Sequence, residues 1–324
     1  MAEINHRAAT LEDAALAADV MTAAYPAMPQ DPVVTRFRWE NPRRGYSYGR
    51  FIAELEGRAI AFTGWVHGPW ERLPDRHCEI EVYLDRAFMD RGLLVTLHSR
   101  ICDQAIAEGA ALLLEFAGED ESEMLEVMAS LGFERDRVDK VSELDLKANG
   151  ERLLREARET KTAFAAKGIA LVTLAEWNDE DMVRKLYELD SLTRQDIPHS
   201  LPILRESLAD FEHRMHSPDR SPERSWVALE GGRPVALTFL KFPPVRGMVW
   251  TGYTCTHPEY RGRGLAKAVK LQSLAQAIEL GVPAVRTDND AENVAMLRIN
   301  RALGYQQVTG FAGHLKRVRR RDDG

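Results

Sequence analysis

The stretch Thr254-Cys255-Thr256-His257-Pro258-Glu259-Tyr260-Arg261-Gly262-Arg263-Gly264-Leu265-Ala266 decides how the rest of the chain is read. Upstream, residues 248–255 are apolar and rich in β-branched side chains, the pattern of a strand. Downstream, residues 265–280 place apolar side chains at Leu265, Ala268, Val269, Leu271, Leu274, Ala275 and Ile278, the period of an amphipathic helix. The turn between them holds two glycines and two arginines. Where a strand feeds such a turn into a helix, the first N–H groups of the helix have no intrahelical acceptor. The helix dipole adds partial positive charge there, so the turn suits an anion. Gly262 and Gly264 remove the Cβ atoms that would hold a phosphate off the backbone, and Arg261 and Arg263 bring charge. Neither Gly-x-x-x-x-Gly-Lys-Ser/Thr nor Gly-x-Gly-x-x-Gly is present in the turn, so it is not one of the two common phosphate loops.

The chain around it has 324 residues, which predicts two domains. Hydrophobic residues at 44% and charged residues at 29% fit an ordinary globular protein. Cys78, Cys102 and Cys255 are odd in number and far apart, which argues for a reducing compartment and against a disulfide frame or a zinc site. No leader pattern follows Met1 and no run approaches the ~20 apolar residues of a membrane span, so a cytoplasmic location without membrane contact is expected. The net charge of −7 disfavours nucleic acid, and the basic stretch 316–321 reads as a solvated chain end.

Read in order, the pattern predicts a strand at 4–8, a helix after Thr10 to about Tyr25, and a Pro-rich loop over 26–48 with one helical turn at most. A hairpin follows at 51–55 and 59–66, then a strand at 78–84, a helix at 93–108, a strand at 111–115, a helix at 122–131 closed by Gly132, and a last strand at 138–146. After a charged, Ala-rich linker helix the same order recurs: a strand at 170–173, helices at 181–195 and 203–213, and a hairpin at 226–229 and 234–240. The anion turn with its flanking strand and helix comes next, then a strand at 284–287, a helix at 291–303 and a final strand to about Val318. Leu303-Gly304-Tyr305 repeats Leu131-Gly132-Phe133 at 304 − 132 = 172, and Gly264 repeats Gly92 at 264 − 92 = 172. The chain is therefore expected to be an α/β (α+β, mixed-sheet) protein of two tandem copies: residues 1–148, a linker helix over 149–168, and residues 169–324, each a central mixed sheet flanked by helices. At the same offset Arg261 and Gly262 become Met89 and Asp90. A carboxylate about 4 Å from a phosphate repels it by roughly 1 to 4 kcal/mol. The first copy is thus expected to be a structural or lid partner, and the second to hold the anion.

Two segments carry a family resemblance. Arg-x-x-Gly-x-Ala at 261–266, after a strand and His257-Pro258-Glu259-Tyr260, resembles the pyrophosphate-binding motif of the GNAT N-acetyltransferase superfamily. Thr287-Asp288-Asn289-Asp290-Ala291-Glu292-Asn293 and the helix ending Leu303-Gly304-Tyr305 resemble its second signature. The tandem arrangement is similar to that of mycothiol synthase-like members. The resemblance covers residues 249–305 by motif and the remainder by element order. It implies that acetyl-CoA is the co-substrate. The turn, with Arg261, Gly262, Arg263, Gly264, Leu265 and Ala266, would hold the diphosphate, Asn293 and Met296 the pantetheine arm, and a backbone N–H at Thr254, Cys255 or Thr256 the thioester oxyanion. Asp290 is the expected N-cap of the helix over 291–303.

The resemblance implies direct attack of an amine on the thioester, without a metal. Many members place a tyrosine seven residues after the helix-opening Asn to protonate the departing thiolate. Here that position is Asn300, whose amide is no acid near neutral pH. Asn300 is then left to hydrogen-bond the sulfur, with Tyr253 as a substitute acid. Asp288 is favoured as the base over Asp196, His199 and Glu259. Cys255 lacks a paired His and Asp and reads as a small buried strand residue. The expected partner is a small-molecule amine. A peptide N-terminus, a CoA sensor without turnover, a scaffold without CoA, and self-association into a homodimer remain open alternatives.

Overall fold

The computed structural model describes residues 4–201 and 203–318. They divide into two compact units. Unit 1 holds residues 4–138, 244–247 and 309–318, and unit 2 holds residues 139–201, 203–243 and 248–308.

In unit 1, β1 (Ile4–Ala8), β2 (Ser47–Leu55), β3 (Arg58–His67) and β4 (His77–Leu84) form an antiparallel meander. The β2–β3 hairpin turns where Glu56 and Gly57 take φ of 51° and 78°. β5 (Leu112–Gly118) joins parallel to β4, and β12 (Gln306–Arg317) pairs antiparallel with β5. The helices are α1 (Ala14–Ala24), α2 (Pro32–Glu40), α3 (Arg91–Ala107) and α4 (Ser122–Ser130), the last closed by Gly132 at φ 85°. Leu94, Leu97 and Ile101 of α3 are packed against Ile80 and Val82 of β4 and Leu113 of β5. The segment 26–48 is more ordered than its prolines suggest. Asp31 caps α2 through Val33 N (2.8 Å) and Val34 N (3.1 Å), and Pro32 occupies the first helical turn, where no N–H is needed. The other oxygen of Asp31 accepts from the amides of Val245 (2.6 Å) and Arg246 (2.9 Å).

Unit 2 repeats the plan. β7 (Ile169–Thr173), β8 (Ser225–Glu230), β9 (Arg233–Lys241) and β10 (Val249–Thr256) form the meander, β11 (Ala284–Asp290) lies parallel to β10, and β6 (Glu134–Asp145) pairs antiparallel with β11 from Asp139 to Asp145. The helices are α5 (Leu146–Ala165), α6 (Met182–Arg194), α7 (Leu208–Met215), α8 (Leu265–Glu279) and α9 (Val294–Leu303). Helix α7 starts later than the expected 203 because Ser207 is its cap, accepting from Asp210 N at 3.1 Å.

The domain limits therefore differ from a division at 148 and 169. The closing strands are exchanged: β12, from the end of the second copy, completes the sheet of unit 1, and the second half of β6 completes that of unit 2. Nor is the helix at 149–168 a free linker. In unit 2, Leu146, Leu153 and Ala157 of α5 are buried with Leu271, Leu274 and Ala277 of α8, and Gln272 Nε2 donates to the Ala157 carbonyl at 2.8 Å. Lys316 and Arg317 belong to β12 rather than to a solvated tail, while Arg319, Arg320 and Arg321 lie outside the described residues. Among the described residues no helix is long and apolar enough to cross a membrane.

Candidate functional site

The distinctive feature of unit 2 is a parting of two strands. β10 and β11 pair only at Val249↔Val285 and Trp250↔Arg286. Beyond that point β10 stays on β9 and β11 stays on β6, so a wedge opens between them. β10 carries a register shift between Thr251 and Tyr253, with Gly252 in the bulge. A Cβ at Gly252 would lie 2.0 Å from Cε2 of Phe239, so the close approach admits only glycine. Along Thr254 to Thr256 the backbone groups of β10 alternate between β9 and the wedge, and those that face the wedge have no ladder partner.

The turn follows at the end of β10. Gly262 and Gly264 sit at φ 76° and 83°, where any side chain is strained. Gly264 is the N-cap of α8, with no side chain closing the helix end. No atom lies within 4 Å of a Cβ built on Gly262, and only Phe164 Cζ, at 4.0 Å, approaches one built on Gly264. Among the described residues the amides of Gly262, Arg263 and Gly264 donate to no carbonyl. The N–H groups opening α8 at Leu265 and Ala266 lie beyond the reach of an intrahelical acceptor.

The arginines are less free than the sequence implies. Arg261 is ion-paired with Asp196, and its Nε lies 3.4 Å from the Thr256 carbonyl. Arg263 donates to Glu230 at 3.1 Å and lies over the Tyr260 ring, whose hydroxyl donates to the same carboxylate at 2.7 Å. Both pairs are on the surface, where such bridges contribute ~1 kcal/mol or less and give way to a stronger anion. A cleft of about 700 Å³ opens beside His257, with Arg184, Lys185, Arg205 and Arg233 in its wall.

The proposed catalytic side chains do not share one hydrogen-bonded group. Tyr253 points to the α6 side, where its hydroxyl is 3.0 Å from Thr193 Oγ1 and Arg194 lies over its ring. Burial raises its pKa above the ordinary phenol value, so it stays protonated. Cys255 is 6% exposed, and burial pushes its thiol up to about 12, which rules out a thiolate nucleophile near neutral pH. Asp288 is exposed and accepts from Trp250 Nε1 at 2.7 Å, bridging β11 to β10. Asn300 is 2% exposed; its Nδ2 donates to Asn289 Oδ1 at 2.6 Å, and its Oδ1 is buried without a partner among the described residues. Of the other candidate bases, Asp196 is held by Arg261, while Glu259 and His199 are exposed.

The cap of α9 is Asn293, not Asp290. Asn293 Oδ1 accepts from Met296 N at 3.2 Å, while Asp290 ends β11 and accepts from Glu292 N at 2.7 Å. The strand runs three residues past the expected 287 because β6 continues to pair with it, and this moves the start of the helix to Val294.

One residue escapes the sequence reading. Lys270 on α8 is 1% exposed, its Nζ has no hydrogen-bond partner among the described residues, and it lies 5.2 Å from the centre of the Tyr305 ring. Burial pushes its pKa down to about 7, opposed weakly by Asp288. Its counterpart at 270 − 172 = 98 is His98, also buried, whose Nε2 is 3.0 Å from Glu115. The counterpart of Glu115 at 115 + 172 = 287 is Thr287, so unit 2 has the buried base without the carboxylate. A lysine flanked by Val269 and Leu271 in a helix covered on both sides was the available signal.

Residues 183–305 match the acetyltransferase (GNAT) family. Among proteins of curated function none matches by sequence. Among solved structures the chain is similar to a tandem GNAT protein from the clavulanic acid biosynthesis pathway, at 18% identity and a TM-score of 0.75 over 97% of this chain and 98% of that one. It is also similar to a GCN5-related N-acetyltransferase from Sphaerobacter thermophilus, at 19% identity and a TM-score of 0.67 over 98% and 96%. At these identities the likeness is one of fold.

Proposed function

We propose that the protein is an acetyl-CoA-dependent N-acetyltransferase acting on a small-molecule amine, with the reaction confined to unit 2; the match of residues 183–305 to the GNAT family and the likeness of the fold to tandem GNAT proteins support this reading. The observation that carries this reading is the wedge between β10 and β11 leading to a glycine turn with free amides. The residues fit the co-substrate. Amides of the turn at 262–266 receive the diphosphate, aided by Arg261 and Arg263 once they leave Asp196 and Glu230. The unpaired edge of β10 takes the amide groups of the pantetheine arm. An N–H of that edge at Thr254, Cys255 or Thr256 donates to the oxygen that becomes negative when the thioester carbonyl is attacked. Asn293, at the cap of α9, and Met296 border the arm from the other side.

In the reaction the amine nitrogen forms a bond to the acetyl carbon and loses a proton, and the C–S bond breaks to leave CoA. Asp288 is suited to take the proton: it is exposed, lies on β11 beside the wedge, and is oriented by Trp250. Asn300 holds Asn289 and steadies the wall rather than donating a proton. Tyr253, protonated and on the α6 side, is the remaining donor for the departing sulfur.

The test is calorimetric titration with CoA, followed by a thiol-release assay over a panel of small amines. Gly262→Asp is expected to abolish CoA binding, whereas Asp90→Ala leaves it within twofold of the wild type. Binding of CoA that survives Gly262→Asp refutes the assignment. A second reading, a CoA sensor, is favoured by the side chains of Asn300 and Tyr253 being tied to Asn289 and Thr193. CoA uptake without thiol release from any amine selects it.

A further inference from the structure

Arg220, in the segment between α7 and β8, is a cation of unit 2 that lacks a counter-ion. Its Nη1 donates to the Arg214 carbonyl at 3.2 Å, and its Nε is buried with no partner. Among the described residues its Nη2 donates to nothing and the guanidinium forms no ion pair. The carboxylates whose charge acts on it are engaged elsewhere. Asp190, 2% exposed, accepts from Arg194 Nε at 2.6 Å and from Arg214 Nη2 at 3.3 Å, and Asp219, 6% exposed, accepts from Ser217 Oγ at 2.5 Å. Burial pulls the Arg220 pKa down to about 10, with Arg214 acting the same way and Asp219 and Asp190 opposing, so the group stays charged near neutral pH. A guanidinium taken out of water needs acceptors. The edge left open here, Nε–H beside Nη2–H, has the spacing of the two oxygens of a carboxylate.

The guanidinium lies beside the bulge of β10. Its Cζ is 3.7 Å from the centre of the Phe239 ring, the same ring that Gly252 admits against the strand. Phe239 pairs with Tyr253, and Lys241 pairs with Trp250. Paired residues, and residues two apart on one strand, point to the same face of a sheet. Phe239, Tyr253 and Trp250 therefore share the face on which Tyr253 meets α6 at Thr193. On that face Trp250 Nε1 donates to Asp288 at 2.7 Å. The α6 face of the wedge thus carries a carboxylate held by one aromatic ring and a guanidinium stacked on another. One charge of each sign over an aromatic floor matches a compact zwitterion. A phosphate would bring up to two negative charges to a single guanidinium, so a carboxylate is the better match.

We propose that the acceptor is a small aliphatic amino acid, its amine beside Asp288, its carboxylate on the Nε–Nη2 edge of Arg220 and its carbons across Phe239 and Trp250. The fate of the amine rests on the acetyl-transfer reading, whereas the binding of the zwitterion can be measured apart from it. Anchoring the carboxylate fixes the nitrogen next to Asp288, the group suited to take its proton, and holds it on the wedge. Arg220 touches the substrate away from the reacting atoms and sets specificity. An amine without a carboxylate leaves its open edge unfilled.

The experiment is calorimetry on the full chain, with and without CoA, near neutral pH. It compares β-alanine, γ-aminobutyrate and ε-aminocaproate with n-propylamine, n-butylamine and n-hexylamine, the amines of equal carbon number. For at least one length the amino acid is expected to bind at least tenfold more tightly than its alkylamine, the effect of a charge-assisted pair of hydrogen bonds. Arg220→Met keeps a long apolar side chain on Phe239 and should bring the two ligands within twofold of each other, with the alkylamine unchanged. A merely structural role would weaken both alike. The wild-type comparison needs no variant, so it decides even if Arg220→Met unfolds. Alkylamines that bind as tightly as the amino acids at every length, or a folded Arg220→Met that keeps the preference, would overturn the proposal. CoA uptake without the preference removes the amino acid and leaves acetyl transfer standing. The preference without CoA uptake removes acetyl transfer and leaves the Arg220 site.

Discussion

Replacing Lys270 with methionine tests the electrostatics of unit 2 directly. The lysine is 1% exposed and has no hydrogen-bond partner among the described residues, and burial pushes its pKa down to about 7 from an ordinary value of 10.5. Between those two values the unfolded chain holds a proton that the folded chain lacks, so this residue makes stability rise with pH from about 7 to about 10.5. It is most costly to the fold below that window and costs nothing above it. Integrating the shift gives a penalty of about 4 kcal/mol at pH 7 and about 1.5 kcal/mol at pH 9.5. Methionine has similar length, carries no charge and packs well against an aromatic ring such as Tyr305. Lys270→Met should therefore be the more stable protein at pH 7, and its advantage should shrink by about 3 kcal/mol at pH 9.5. Urea unfolding of both proteins at the two pH values measures this difference directly, because every other titrating group is common to them. A stability difference that is the same at both pH values refutes the reasoning, since Lys270 would then be charged in the fold and satisfied by something else.

Three further outcomes are expected. Gly252→Ala drives a Cβ into Phe239, and overpacking of this kind costs about 1 to 3 kcal/mol. Differential scanning calorimetry should register that loss together with weaker CoA binding, and a variant that binds CoA normally would show that the bulge does not shape the wedge. Glu230→Gln releases Arg263 to an incoming phosphate and should tighten CoA about two- to fivefold, the value of one exposed ion pair; an unchanged dissociation constant would place Arg263 outside the site. Asp31→Ala removes a carboxylate that serves four amides and should destabilise unit 1 by about 3 kcal/mol. Burial opposes ionisation of Asp31, but its four amide bonds outweigh burial and lower its pKa. The wild-type advantage should hold above the ordinary carboxylate range and disappear as acid carries the group through its lowered value. Thermal unfolding across that range would detect an advantage that fails to vanish.

Much of this was legible from local chemistry. Gly262 and Gly264 mark a turn in which a Cβ would stand between an anion and the backbone, and both take positive φ, where a side chain is strained. Gly132 and Gly304 mark helix ends for the same reason. Asp290 misled because Asp and Asn are equally good caps. Which of them caps depends on how far β11 runs, and that is set by β6, a strand far away in sequence. Asp31 was hidden among prolines that suggested a loop, since half of its bonding is to amides more than two hundred residues downstream. Lys270 was hidden because amphipathic periodicity treats a charged residue as exposed, whereas α8 is covered by α5 on the side away from the sheet.

The sequence by itself determined the repeated unit, the order of its elements and the difference between Gly262 and Asp90, because each element is written in its own residues and the two copies can be compared at a constant offset of 172. It could not decide which strand closes which sheet. β6 and β12 are the same element in the two copies, with equivalent patterns, so either satisfies either edge as far as hydrogen bonds and burial are concerned. The exchange is decided by tertiary structure: α5 continues directly from the end of β6 and buries its apolar face on α8, which carries β6 to β11 and leaves the edge of β5 for β12.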